Sequence, residues 1–166
     1  DPIATAVFTV TVTNGNGCTD TDDVTVNVTQ SCCGNPADDL ISSPGNISGT
    51  YSGNANLNFN ATVATNTTAE FDNLELIIAA GITITIENLG HLIITNGSAL
   101  KSCGDMWQGI IVEDGGRLTI DGGSVIEDAE IAIDAQSGSQ FNIDGAEFQQ
   151  NFIGIHASDG DFSSSS

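Results

Sequence analysis

A chain of 166 residues with 39% hydrophobic residues can bury a core, and its low content of charged residues, 14%, leaves a surface rich in Asn, Thr, Ser and Gly. Its 22 acidic residues face only two permanent cations, Lys101 and Arg117, so the formal net charge is −20. Nucleic-acid binding requires Lys and Arg to neutralise phosphates, so this composition argues against nucleic acid and against an anionic membrane as partners.

The first 30 residues contain two runs in which apolar and polar residues alternate. Residues 6–14 read AVFTVTVTN and residues 22–29 read DDVTVNVT. A period of two with β-branched residues predicts half-buried strands, and the Asn-Gly-Asn-Gly sequence at 14–17 is a strong hairpin signal. We therefore predict a β-hairpin over residues 5–29 with one apolar face.

An isolated hairpin is marginally stable in water, so its apolar face needs further strands. The stretch FTVTVTNGNGCTDTDDVTVNV at 8–28 resembles the last two strands of a PKD or related immunoglobulin-like domain of Bacteroidota. The resemblance implies that residues 1–30 are the C-terminal hairpin of such a module, whose earlier strands belong to a longer chain or come from another molecule by strand addition. No signal peptide is present, and we expect a mature fragment of a longer protein.

Residues 31–56 are rich in Gly, Ser, Asn and Pro, and we interpret them as a linker and N-terminal cap. Beyond them, short apolar runs recur on three templates, of which the third pairs Val125-Ile126 with Glu147-Phe148 at a spacing of 22 residues. The first has spacings of 26 and 23 residues and is read as GHLIITNGS at 90–98, GRLTIDGGS at 116–124 and SQFNIDGAE at 139–147. The second has spacings of 23 and 22 residues and is read as GIIV at 109–112, AIDA at 132–135 and GIHA at 154–157.

Three short strands in each period of about 22 residues, with Gly, Asp and Asn at the corners, describe one coil of a parallel β-helix. We predict an all-β chain in which a right-handed parallel β-helix of about four coils spans residues 57–162 and a Ser-rich tail follows at 163–166. Inward-facing side chains should form ladders between coils, with Leu118 over Phe141 and Ile120 over Ile143.

The stretch CGDMWQGIIVEDGGRLTIDGGSVIEDAEIAI at 103–133 resembles the β-helix segments, of the pectin-lyase-like superfold, in large Bacteroidota exoproteins. The likeness is strongest at Trp107, Gly109 and the pair Gly115-Gly116. Many such proteins combine PKD-like modules with β-helices and leave the cell through the type IX secretion system. The resemblance therefore implies an extracellular or cell-surface protein that meets the secretion machinery in transit.

Four cysteines occur without a CxxC or Cys/His zinc pattern, and all are disulfide candidates: Cys18, Cys32, Cys33 and Cys103. Adjacent cysteines such as Cys32 and Cys33 rarely bond to each other. The chain can therefore form two separate disulfide bridges, or one bridge with two free thiols. Four cysteines allow three pairings, and the sequence does not choose among them.

Two sets of aspartates are candidate Ca²⁺ ligands. Asp121 and Asp144 fall at one template position 23 residues apart, so register would stack two carboxylates that repel each other or recruit a cation. Each precedes a Gly at a corner, where Asp also serves backbone geometry alone. The hairpin turn is flanked by Asp20, Asp22 and Asp23. They are either solvated turn residues or ligands of a Ca²⁺ ion between modules. No other cofactor is expected.

Polysaccharide lyases and hydrolases also use parallel β-helices, so an enzyme has to be weighed. Lys101 and Arg117 are the candidate cationic bases of a lyase. Lys101 has no partner base close in sequence, and Arg117 opens a strand, where the alternative is a solvated residue of an exposed face. A hydrolase needs paired carboxylates spaced for acid and base work. We expect no catalytic residues. Trp107 is either a glycan contact on which a sugar ring stacks or a residue that covers the core.

The sequence-based hypothesis is a non-catalytic structural segment of an extracellular surface protein, as an adhesin, a stalk or a filament-forming subunit. Its expected partners are other copies of itself, neighbouring surface proteins and glycans, with no membrane insertion. The alternative is a fragment of a β-helix carbohydrate-active enzyme, or a carbohydrate-binding surface.

Overall fold

The computed structural model describes residues 4–28 and 38–158, with side chains for 9–23 and 38–158. The chain divides into two compact units, Asp1–Ser31 and Cys32–Ser166. Each is described by itself below. Among the described residues there is no helix of a length and apolarity that could cross a membrane.

The first unit is an antiparallel hairpin of β1 (Ala4–Thr13) and β2 (Thr19–Val28), in which Thr13 lies opposite Thr19. The Gly17 N–H donates to the Asn14 carbonyl at 3.0 Å, and Gly17 has a positive φ of 80°. This is a three-residue loop closed by a left-handed glycine, a common hairpin connection. The predicted hairpin is confirmed.

The second unit is a parallel β-solenoid of about 5 turns. Apart from the hairpin pair, every ladder in the structure is parallel. Its strands are β3 (Gly45–Asn46), β4 (Gly49–Leu57), β5 (Ala61–Val63), β6 (Thr68–Ile78), β7 (Thr83–Ile86), β8 (His91–Thr95), β9 (Ala99–Ser102), β10 (Trp107–Val112), β11 (Arg117–Ile120), β12 (Val125–Glu127), β13 (Ala129–Ala135), β14 (Gln140–Ile143), β15 (Glu147–Gln149) and β16 (Ile153–Ala157).

The strands stack on three faces. The first face has the order β3-β5-β7-β10-β13-β16. The second and third faces share one sheet, because β6 is long enough to pass through the corner between them. Its first half pairs with β8, which leads to β11 and β14 on the second face; its second half pairs with β9, which leads to β12 and β15 on the third.

The solenoid starts earlier and has more turns than the repeat predicts. Strand β3 lies before residue 57 and β4 ends at that residue, and they already pair in parallel with β5 and β6 respectively. Small and polar residues dominate this stretch, yet Ile47 and Leu57 are fully buried. In the later coils this corner is a Gly-rich turn, whereas β4 and β6 each run through it as one continuous strand. The repeat therefore cannot be recognised in the sequence of these first coils.

The core is built from the inward positions of successive coils. Leu118 pairs with Phe141 and Ile120 with Ile143, which confirms both predicted ladders. Alternation within each strand, such as buried Leu118 and Ile120 on either side of a partly exposed Thr119, places one set of side chains inside and the other outside.

Two corners of the coil are made by left-handed residues at fixed positions. Between the first and second faces these are Asn66, Leu89, Gly115 and Gly138, with φ of 59°, 61°, 72° and 82°. Between the second and third faces, Thr95–Ser98 and Asp121–Ser124 form turns with positive φ at both central residues, which accounts for Asn-Gly and Gly-Gly at these places.

Candidate functional site

The predicted aspartate pair of the solenoid lies on neighbouring coils. Asp121 N–H donates to the Ile94 carbonyl at 2.9 Å, and Asp144 N–H donates to the Ile120 carbonyl at 2.8 Å. The Asp121 carbonyl accepts the hydroxyl of Ser124 at 2.7 Å. Within residues 4–28 and 38–158, no group of three or more His, Cys, Asp or Glu side chains is arranged to hold a metal ion.

The predicted aspartates of the hairpin do not converge. Asp20 and Asp22 lie opposite Val12 and Val10, whereas Asp23 occupies the alternate position of β2. Successive strand residues point to opposite faces, so Asp22 and Asp23 are directed apart. All three side chains are exposed.

The cysteines differ in state. Cys103 is disulfide-bonded, and Cys18 is a free, exposed thiol in the hairpin turn. Cys32 and Cys33 lie outside the described residues. A bridge that includes Cys18 is therefore not formed in this structure.

Trp107 lies in the core. Its side chain is fully buried, and its indole N–H donates to the Glu127 carbonyl at 2.8 Å. A glycan contact requires an exposed ring face, which this position does not provide. The structure thus assigns Trp107 to the core, at the start of β10.

Two close pairs of a basic and an acidic side chain are found among the described residues. Lys101 Nζ lies 2.6 Å from Glu75 Oε1 at the surface, and this hydrogen bond raises the Lys101 pKa. His156 Nδ1 lies 2.7 Å from Asp134 Oδ1 on the first face.

A shallow cavity of about 430 Å³ lies at the N-terminal end of the solenoid, between residues 38–40 and β4. Asp39 Oδ1 accepts the side-chain amide of Asn58 at 2.7 Å. Leu40 N–H donates to the Asn56 carbonyl at 2.7 Å. These bonds tie residues 38–40 to the first coil, so this end of the core is covered.

Among the described residues, the opposite end of the solenoid has no further coil stacked on it, and we call it the open end. Each face ends there in a strand with one hydrogen-bonded neighbour among the described residues: β14, β15 and β16. Inward Ile155 is 38% exposed, whereas Ile133 at the same position one coil earlier is 0% exposed. Phe152, just before β16, is 78% exposed. Within residues 38–158, the outer edges of these three strands therefore have no paired strand, and apolar side chains lie beside them.

Such an edge is a ready template for another β-strand. It is the feature of the solenoid that can bind a polypeptide without any special side-chain chemistry, because the ladder itself supplies donors and acceptors. Comparison with protein-family models, with curated proteins and with solved structures finds no match to this chain.

Proposed function

We propose that this chain is a non-catalytic structural segment of an extracellular surface protein, and that its solenoid works as a stiff rod continued by further coils at the open end. The observation that carries the proposal is the last described coil, in which β14, β15 and β16 each have one hydrogen-bonded neighbour among the described residues, beside partly exposed Ile155, Phe141 and Phe148. An adhesin, a stalk and a filament-forming subunit all make use of such a rod.

A further parallel coil is the occupant that fits this end. The same interface recurs between all preceding coils, with one strand per face in register and an apolar core inside. Burying the apolar surface of the last coil contributes about 25 cal/mol per Å². A partner with apolar residues at alternate positions therefore completes both the ladders and the core.

The extracellular location is supported by two further observations. Cys103 is disulfide-bonded, and disulfides persist mainly in oxidising compartments. The net charge of −20 suits a saline exterior. The PKD-like nature of the hairpin and export by type IX secretion rest on the sequence resemblance, and they belong to the same proposal.

The extension of the rod is tested by duplicating residues 131–152 in place, which is one period of the register from Ile131 to Ile153. We expect a higher melting temperature and slower amide hydrogen exchange in the first copy of β14 and β15, which then have neighbours on both sides. An unfolded or unchanged protein would contradict the stacking of coils.

The location is tested on intact cells of the source organism by brief protease treatment, followed by mass spectrometry of the released peptides. We expect peptides from residues 38–158 in the released fraction. The mass of the intact polypeptide is measured in parallel. Their recovery only after cell lysis would overturn the extracellular assignment.

A further inference from the structure

Three Asn-Gly pairs lie in exposed turns of this chain. Two of them, Asn14-Gly15 and Asn16-Gly17, form the loop of the hairpin, and the third, Asn96-Gly97, makes a corner of the solenoid. Asparagine before glycine is a chemically labile pair, because glycine has no Cβ to keep its backbone nitrogen away from the side-chain amide carbon of the asparagine. Since the three pairs share the same two residues, a difference in their reactivity has to come from the fold.

The side-chain carbonyl of Asn14 accepts two backbone hydrogen bonds. The N–H groups of Asn16 and Cys18 each donate to Asn14 Oδ1, with a nitrogen–oxygen distance of 3.0 Å in both cases. The Asn14 N–H in turn donates to the Cys18 carbonyl at 2.9 Å, and the Gly17 N–H donates to the Asn14 carbonyl at 3.0 Å. The backbone of the loop therefore fixes both donors around Oδ1.

Two donors on this oxygen have the arrangement of an oxyanion hole. When the Gly15 nitrogen attacks Asn14 Cγ, negative charge develops on Oδ1, and donors at about 2.7–3.1 Å from such an oxygen stabilise that charge. Among the described residues, the Gly15 N–H has no hydrogen-bond acceptor. Its nitrogen is exposed to solvent and can lose its proton to hydroxide before it attacks.

The Asn16-Gly17 pair lacks both features. The Gly17 N–H already donates to the Asn14 carbonyl at 3.0 Å, so the nitrogen that would attack Asn16 is engaged. In the described part of the chain, no N–H donates to Asn16 Oδ1. The fold should therefore slow the reaction of this pair.

The Asn96-Gly97 pair faces a carboxylate instead of donors. Asn96 Nδ2 donates to Asp72 Oδ1 at 2.6 Å, and no N–H of the described residues donates to Asn96 Oδ1. Negative charge that develops on the Asn96 amide is repelled by a carboxylate so close to it. The fold should therefore slow this pair as well.

We propose that Asn14 is a site of intramolecular self-modification in the folded hairpin. The Gly15 nitrogen loses its proton and forms a bond to Asn14 Cγ, the bond between Cγ and Nδ2 breaks, and Nδ2 leaves as ammonia after it takes up a proton from water. Water then opens the succinimide ring at either of its two carbonyls, which gives aspartate or isoaspartate at residue 14. The reaction uses no oxidant, reductant or cofactor.

Both products change the hairpin turn. Aspartate adds a negative charge, whereas isoaspartate carries the main chain through the former side-chain carbon and so inserts a methylene group between residues 14 and 15. The insertion falls where Asn14 and Cys18 close the loop, next to the pair of Thr13 and Thr19. The proposal concerns the hairpin alone and does not depend on the extension of the solenoid or on its cellular location.

The test follows all three pairs in one sample of the native chain. The chain is incubated in mildly alkaline buffer, and aliquots are digested with pepsin under acidic conditions, which halt the reaction. Mass spectrometry with electron-transfer fragmentation measures aspartate and isoaspartate at each of the three asparagines. A parallel sample in concentrated urea gives the rates of the same sequences without the fold.

We expect Asn14 of the folded chain to react about tenfold faster than Asn16 and Asn96, and the three to react at similar rates in urea. A folded rate at Asn14 that does not exceed the rates at Asn16 and Asn96 would overturn the proposal. A slower reaction of Asn14 in the folded chain than in urea would overturn it too, because the two hydrogen bonds would then hold the amide away from Gly15.

The contribution of the donors is measured with Cys18→Pro, which removes one of the two N–H groups. Cys18→Ser is the matched control, since it removes the thiol and keeps the N–H. Asn14 should react about tenfold more slowly in Cys18→Pro than in Cys18→Ser, and equal rates with the hairpin intact would contradict the role of the donor. Nuclear magnetic resonance spectra report whether the hairpin persists, and if proline disrupts it, the comparison of the three pairs in the native chain decides.

Discussion

Leu89 N–H donates a hydrogen bond of 3.0 Å to the carbonyl of Gly115, its counterpart one coil further on, and both residues have a left-handed backbone. The corner geometry is thus held by the stacking of coils, even where the residue type opposes it. A left-handed conformation costs an ordinary L-residue roughly 1–2 kcal/mol, and Leu89 is 57% exposed, so little burial offsets that cost.

Replacing Leu89 by Asn is therefore expected to stabilise the protein by about 1 kcal/mol, because Asn tolerates positive φ and occupies the same corner position at residue 66. The melting temperature should rise by about 2–4 °C. The reverse change, Asn66→Leu, is the matched control and should lower it. If Leu89→Asn melts at or below the temperature of the native chain, the left-handed backbone at residue 89 does not destabilise the protein.

A methyl group has no room at Gly109. Its φ is 111°, and a Cβ would lie 1.6 Å from the Ile131 carbonyl oxygen, where the register between β10 and β13 shifts. Gly109→Ala should cost more than about 3 kcal/mol in unfolding free energy, measured by denaturant unfolding. Gly104→Ala, where no atom lies within 4 Å of the added Cβ, should be nearly neutral. Similar effects of the two changes would contradict the close contact.

Inward side chains are more exposed toward the open end, so replacing them by alanine should cost less unfolding free energy there. Ile133→Ala removes a fully buried side chain and should cost about 2–5 kcal/mol. Ile155→Ala, at the same inward position in the last coil, should cost about 1 kcal/mol because its side chain is 38% exposed. Chemical denaturation measures both. An Ile155→Ala cost equal to that of Ile133→Ala would show that the end is covered in solution.

His91 predicts a pH dependence with a definite sign. Burial and the charge of Arg117 lower its pKa in the folded protein, so the unfolded chain binds more protons below about pH 6.5. The His91 contribution to stability is therefore constant above that pH and falls as the pH decreases toward the folded pKa. The stability difference between the native chain and His91→Gln should shrink or reverse between about pH 7.5 and 5.

The effect of the Arg117 charge on the His91 pKa is separated from the effect of burial by nuclear magnetic resonance titration of His91 in the Arg117→Gln variant. Removing the neighbouring charge should raise the His91 pKa toward its ordinary value, while the part due to burial remains. A His91 pKa at or above 6.5 in the native chain would refute the predicted direction.

The parallel coils beyond residue 90 were predictable because each landmark is local. Alternating aliphatic residues mark the strands, and the Asn-Gly and Gly-Gly pairs at 96–97 and 122–123 mark turns that need positive φ. The earlier coils were not predictable in the same way. Their longest strand, β6, continues through a corner at Asn73 with one left-handed residue and no paired glycine.

The candidate sites depended more on the fold than on the sequence. The aspartates at 121 and 144 were placed on neighbouring coils by their spacing alone, yet no third metal-binding side chain joins them in the described part of the chain. Arg117 and Lys101 look alike in sequence as isolated cations. Their difference arises because Glu75, 26 positions before Lys101, is brought beside it by stacking, whereas Arg117 receives His91 and Gln140.

By itself, the sequence determined the all-β class, the hairpin, the acidic surface and the period of the coil, because strand alternation and turn chemistry act between residues close along the chain. The tertiary structure alone decided that Trp107 is buried, that Arg117 lacks a partner among the described residues, and that the last coil is open. Burial and pairing are set by side chains about 22 residues away, on the coils above and below, and that neighbourhood exists only once the chain has coiled.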